Sequence, residues 1–146
     1  NPPLREPAVI RAILAGIADG TIDCIITDHA PHAKEEKADF MKAPNGVVGL
    51  ETSFAACYTH LVRTGVISMR RLVELMSTNP ARLLKLPGGV LEEGGIADVA
   101  IADPERVWPV EPEKLHSRSK NTVFKGMTFT GKVVRTICRG KTVYAE

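Results

Sequence analysis

The chain has 146 residues, 44% of them hydrophobic and 25% charged, an ordinary globular composition. Nineteen basic and 17 acidic residues give a formal charge of +2. That is too weak to argue for nucleic acid or an anionic membrane surface, and no apolar run approaches the ~18 residues of a membrane span. Three scattered cysteines, Cys24, Cys57 and Cys138, form neither a disulfide framework nor a Cys-x-x-Cys pair, so a reducing, cytoplasmic setting is expected.

The opening Asn1-Pro2-Pro3-Leu4-Arg5 has no initiator methionine and reads as chain interior; the expectation is a piece of a longer polypeptide. Its prolines bias residues 1 and 2 away from the α region. A helix is expected over residues 7–18, with Pro7 in its first turn and Val9, Ile10, Ile13, Leu14 and Ile17 on one face. Asp19-Gly20 should end it. Residues 22–27 are short, apolar and rich in β-branched side chains, which predicts a buried strand. It runs into the polar turn Asp28-His29-Ala30-Pro31-His32. Residues 33–48 show no period and read as a long loop.

A second helix is expected over residues 50–63, with an apolar stripe of Leu50, Phe54, Cys57, Tyr58, Leu61 and Val62 and Gly65 as its stop. Ser68 can cap a third through about residue 76. Asn79-Pro80 should start a short fourth, broken at Pro87-Gly88-Gly89. The composition then changes. A strand is expected at 96–101, loop at 103–122, and a terminal hairpin of 132–138 and 141–145 turning at Arg139-Gly140.

The residues that carry chemistry stand at the end of the expected strand. An apolar segment delivers one carboxylate and two imidazoles into a turn. In α/β barrels functional side chains occupy the C-terminal ends of strands. A carboxylate there can ligate a divalent metal and move a proton between water and a leaving nitrogen. The same aspartate could instead cap its turn, and each histidine could be structural; from the residues alone both readings stand. No His-x-His or His-Glu-x-x-His occurs, so the chain alone cannot complete a three-ligand zinc site. His60 and His116 read as helix-surface and loop residues.

Beyond these features, the sequence resembles the dihydroorotase family, in its bacterial long-chain form within the amidohydrolase superfamily. The likeness rests on Asn1-Pro2-Pro3-Leu4-Arg5, Asp19-Gly20-Thr21-Ile22-Asp23, Thr27-Asp28-His29-Ala30-Pro31-His32, Lys34-Glu35-Glu36-Lys37 and Gly49-Leu50-Glu51-Thr52. It continues in Ser77-Thr78-Asn79-Pro80-Ala81, Gly94-Gly95-Ile96-Ala97-Asp98, Ser119-Lys120-Asn121-Thr122 and Gly140-Lys141. It implies the last part of a (β/α)8 TIM-type metallohydrolase barrel over residues 1–87 and the C-terminal strands of a small β-sandwich over 88–146.

By position, the resemblance makes Asp28 a metal-contacting general acid/base and His32 a ligand of the substrate carboxylate. Asn1 would hydrogen-bond substrate through its side chain. Asn45-Gly46 falls where the family contacts the pyrimidine ring through backbone; the family usually has an aromatic residue before that glycine, so Asn45 is a departure, and the dipeptide by itself favours a tight turn. The implied cofactor is zinc, one or two ions, with the other ligands upstream. The implied reaction is the reversible cyclisation of N-carbamoyl-L-aspartate to L-dihydroorotate in pyrimidine synthesis, by a cytoplasmic enzyme with a small-molecule substrate and no nucleic-acid or membrane partner. Two other readings stay open. One is another cyclic amidohydrolase, such as an allantoinase or hydantoinase. The other is a non-catalytic scaffold for aspartate carbamoyltransferase. The isolated chain is expected to be inactive, and its unpaired strand edges invite self-association, a homodimer among the outcomes.

Overall fold

A computed structural model describes residues 5–146; Asn1 lies outside the described residues. Helix α1 spans Pro7–Asp19, opens on its proline and closes at Gly20. Its stripe is only half used. Leu14 and Ile17 pack into the core, whereas Val9, Ile10 and Ile13 stay exposed because no described residue covers the first two turns.

Residues 22–27 form no ladder, in contrast to the expected strand. A parallel strand needs partners from distant sequence, and the one parallel contact nearby is an isolated bridge from His29 to Val47. The segment is held from one side instead. Ile25 N–H donates to the Leu75 carbonyl (3.0 Å), Asn79 Nδ2 to the Asp23 carbonyl (2.8 Å) and Arg71 Nη2 to the Ile22 carbonyl (3.1 Å). Ile22 and Ile25 pack on the core, while Ile26 is 79% exposed.

Helix α2 spans Ser53–Cys57 and continues through a π-helical turn, Tyr58–Val62, with Gly65 just past its end. Helix α3, Met69–Val73, starts at Ser68, whose Oγ accepts from Arg71 N–H (3.1 Å). It does not stop where Asn79-Pro80 suggested. A second π turn, Glu74–Thr78, leads directly into α4, Asn79–Leu83. Pro80 has no N–H and its ring crowds the preceding turn; the wider π turn sits where that conflict falls. Asn79 is buried inside the continuous helix, its side chain donating to Asp23 rather than capping.

Strand β1, Val99–Pro109, pairs antiparallel with β2, Thr128–Cys138, which pairs with β3, Lys141–Ala145. β1 runs well into residues expected as loop. Pro104 is tolerated because β1 is an edge strand and the ladder shifts register between Asp103 and Val107, where a missing donor costs least. The turn between β2 and β3 has positive φ at both Arg139 and Gly140, the twist that tight hairpins favour.

Two clusters share α2. Ile17, Leu61, Ile67, Leu72 and Leu75 form the core between helices. Ala55, Val110 and Phe129 form the second, against the sheet. Phe129 is fully buried, edge-on to Phe124 at 5.2 Å, His60 at 5.8 Å and Trp108 at 6.2 Å. β2 comes so close to α2 that a Cβ on Gly131 would lie 2.7 Å from the Tyr58 ring. Thr59 Oγ1 then serves as a strand partner, donating to the Thr130 carbonyl (3.0 Å) and accepting from Thr130 N–H (2.9 Å). Among the described residues no helix is long and apolar enough to cross a membrane.

Candidate active site

Asp28 closes the 22–27 segment in a left-handed conformation, φ +45. Such backbone is costly for a residue with a Cβ and persists only where the surroundings impose it, often at functional sites. Asp28 is exposed and its carboxylate makes no hydrogen bond or ion pair among the described residues. It therefore caps nothing, which removes the main structural explanation for an aspartate at a strand end.

The next histidine is structural. His29 Nδ1 accepts from Gly49 N–H (3.1 Å) and, more weakly, Leu50 N–H (3.4 Å). With the Ala30 N–H bond to the Val47 carbonyl (3.0 Å), this lays residues 45–49 against the turn that carries Asp28. His32 is one-quarter exposed and donates from Nε2 to the Asn45 carbonyl (3.1 Å), since a carbonyl can only accept. Its Nδ1 faces Glu36 Oε2 at 3.7 Å. With Nε2–H so engaged, His32 can give a ligand carboxylate a proton only from Nδ1, as the imidazolium.

Asn45-Gly46 is not the tight turn its composition suggests. Only Gly46 has positive φ, +127, and a Cβ there would lie 2.5 Å from the Ala30 Cβ. Glycine is required because the loop backbone is pressed onto the 28–32 turn. The structure thus joins His32, Asn45 and Gly46 directly. Asp28 stands on the same turn without touching them.

Among the cavities formed by the described residues, two bear on these elements. The smaller, about 300 Å³, lies between the start of α2 and the sheet and is lined by Glu51, Trp108, His116, Lys132, Tyr144 and Glu146 among others. Its charged groups pair within the chain. Lys132 pairs with Glu146 (2.6 Å) over the Trp108 ring, and Glu51 accepts from His116 N–H (2.8 Å), Ser117 N–H (2.9 Å) and the His116 ring. Burial opposes ionisation of Glu51, but these donors outweigh it and hold the carboxyl below its ordinary value.

The larger cavity, about 950 Å³, opens beside His32. Lys34, Lys37, Arg118, Lys120 and Lys125 face Glu35 and Glu113 across it, so five cations outnumber two carboxylates and the cleft favours an anion. Asp28 is not among its lining residues. Among the described residues no three His, Cys, Asp or Glu converge as a metal site. The chain alone does not fit zinc, which takes at least three protein ligands; Asp28 can supply one.

Two residues were given no role from sequence. Lys37 and Asn121 both reach the Gly46 carbonyl, at 2.8 and 3.1 Å. Lys37 sits in the charged stretch expected as a long loop, and Asn121 lies 75 positions from Gly46 in sequence. Their place in segments that carry the family resemblance was the available signal.

The model of the amidohydrolase family matches residues 4–143. A dihydroorotase from Anaeromyxobacter sp. (strain K) is 48% identical over 147 aligned residues, covering all of this chain and 34% of that protein. One from Clostridioides difficile (strain 630) is 50% identical over 145, covering 99% and 34%. Among solved structures, the L-hydantoinase (dihydropyrimidinase) from Arthrobacter aurescens superposes with a TM-score of 0.91 at 35% identity, over 99% of this chain and 33% of that one. The chain spans about a third of the length of the relatives it matches.

Proposed function

This chain belongs to the amidohydrolase family, and from that premise we propose that it is the C-terminal portion of a dihydroorotase, acting in the cytoplasm in pyrimidine synthesis. Its fold is the expected α/β portion of a metallohydrolase barrel followed by an antiparallel tail. In our reading residues 1–87 are the last βα units of that barrel and 88–146 belong to the small β domain. The activity would be the reversible cyclisation of N-carbamoyl-L-aspartate to L-dihydroorotate.

The observation that carries the choice of substrate is the charge of the cleft beside His32. Dihydroorotate bears a carboxylate and its open form bears two; hydantoin bears none. A cleft with a cationic excess suits the anions. Asp28, free of internal partners, is the group to take a proton from the attacking water and return it to the departing amide nitrogen. His32 would hold the substrate carboxylate, and the Asn45-Gly46 backbone would present donors to ring carbonyls. Asn1 remains proposed as a substrate ligand. Zinc, one or two ions held mostly by residues outside this chain, would supply Lewis acidity and a water of lowered pKa.

The hydantoinase neighbours favour one second reading, hydrolysis of an uncharged cyclic diamide. Side-by-side assay of the full-length protein separates the two. L-dihydroorotate and N-carbamoyl-L-aspartate should be interconverted with kcat/KM at least about tenfold above that for hydantoin, the margin one well-matched charged contact supplies. Preference for hydantoin would overturn the assignment.

A further inference from the structure

Resting on the reading above, we propose that Lys37 is a positioning residue that presets the Asn45-Gly46 loop as a hydrogen-bond donor wall for the substrate, with Asn121 as its second arm. Lys37 ends the short 3₁₀ turn Glu35–Lys37 and is half-buried. Its ammonium pairs with no carboxylate among the described residues. It donates instead to the Pro44 carbonyl and, at 2.8 Å, to the Gly46 carbonyl. An ammonium that spends two of its three donors on one loop acts as a staple.

The consequence follows from peptide planarity. In a trans peptide the C=O and the following N–H point in opposite directions. Lys37 on the Pro44 carbonyl therefore fixes the direction of Asn45 N–H, and His32 on the Asn45 carbonyl fixes that of Gly46 N–H. The Gly46 carbonyl is pinned from both sides, by Lys37 and by Asn121 Nδ2. Asn121 also accepts Val48 N–H through its own carbonyl (3.0 Å). Three successive peptide planes are thus set. Neither Asn45 N–H nor Gly46 N–H has a partner among the described residues; Asn45 is exposed and Gly46 half-buried, so both donors are open to an external acceptor. They are left aimed for an acceptor on the ligand.

The test compares Lys37→Met, which keeps the stem and removes the donors, with Lys37→Arg, which keeps donors and charge, in the full-length protein. Two readouts are taken: amide hydrogen exchange of residues 44–48 without substrate, and the separate kcat and KM for L-dihydroorotate. For Lys37→Met, exchange within 44–48, read at Val48, whose N–H is bonded to the Asn121 carbonyl, should quicken about tenfold while α1 and β2 keep their protection, and KM should rise about tenfold with kcat within about threefold. Lys37→Arg should recover part of both. Unchanged exchange in 44–48, or quickened exchange with unchanged KM in a protein that turns over dihydroorotate, would overturn the proposal. If Lys37→Met loses protection everywhere, Asn121→Asp, which removes the other donor, should still quicken 44–48 selectively; no local change there overturns it as well. A wild type inactive on dihydroorotate would sink the substrate reading alone, since the exchange result decides the staple independently.

Discussion

The antiparallel sheet and residues 22–27 have the same kind of sequence, apolar and β-branched, yet meet opposite fates. β2 and β3 are neighbours joined by two residues, so each supplies the other's hydrogen bonds at little loop-closure cost. Residues 22–27 are of the parallel kind and find no strand beside them among the described residues; Arg71, Asn79 and Leu75 hold them from the helical layer. Stability is therefore concentrated around Phe129 and the helix contacts. The end of the unpaired segment carries the strained, unpartnered Asp28. The proposed chemistry sits where the described chain is least self-sufficient, and rigidity sits where it is most.

Substitutions can break or sharpen this contrast. The largest effect is expected at Asp28. Asp28→Asn in the full-length protein should cut kcat by about 10²–10⁴, the usual worth of a general acid/base, while leaving the melting temperature unchanged or raised, because its carboxylate has no partner among the described residues. Near-wild-type turnover would deny the segment's end its role. Next, Phe129→Ala should cost about 3–5 kcal/mol in denaturant unfolding, as expected for a fully buried aromatic; a loss under about 1 kcal/mol would show that the sheet is not the stable partner.

Asn79→Ala removes the donor to the Asp23 carbonyl and should cost about 1–3 kcal/mol. Its effect on hydrogen exchange should centre on residues 22–27 rather than on the sheet. Uniform loosening would mean that the segment is not held independently. The smallest effect concerns pH. Glu51 ties residues 116 and 117 to the start of α2 and has its pKa lowered in the fold. A lowered carboxyl pKa adds stability that is complete above the unfolded value, about 4.3, and is lost as pH falls through the folded value. The melting-temperature gap between wild type and Glu51→Gln should therefore be constant from about pH 6 to pH 5 and close below about pH 4. A gap that widens on acidification would contradict the sign.

Much of the layout was legible because it is set by near neighbours. Pro7 and Gly20 bounded α1, Ser68 announced α3 by its cap, and Arg139-Gly140 located the hairpin turn. The misreadings arose where distant residues override a local signal. Asn79-Pro80 looks like a helix start, but a π turn carries the helix through it and Asp23 claims the asparagine. Pro104 looks like loop, but β2 extends the ladder past it. The site divides in the same way. Asp28 and His32 lie in one recognisable turn and Gly46 was placed by loop position, while Lys37 and Asn121, though inside segments that carry the resemblance, have roles only because the fold brings both to one carbonyl.

Sequence by itself thus determined the limits of α1, the capped start of α3, the hairpin and the polar turn where chemistry would be sought, since each depends on interactions spanning a few residues. Tertiary structure alone decided which histidine is tied to the backbone, that Asp28 is left free in a strained conformation, and that a lysine and an asparagine shape the Asn45-Gly46 loop. Those outcomes depend on contacts between residues far apart in the chain, and local propensity holds no record of which distant groups will meet.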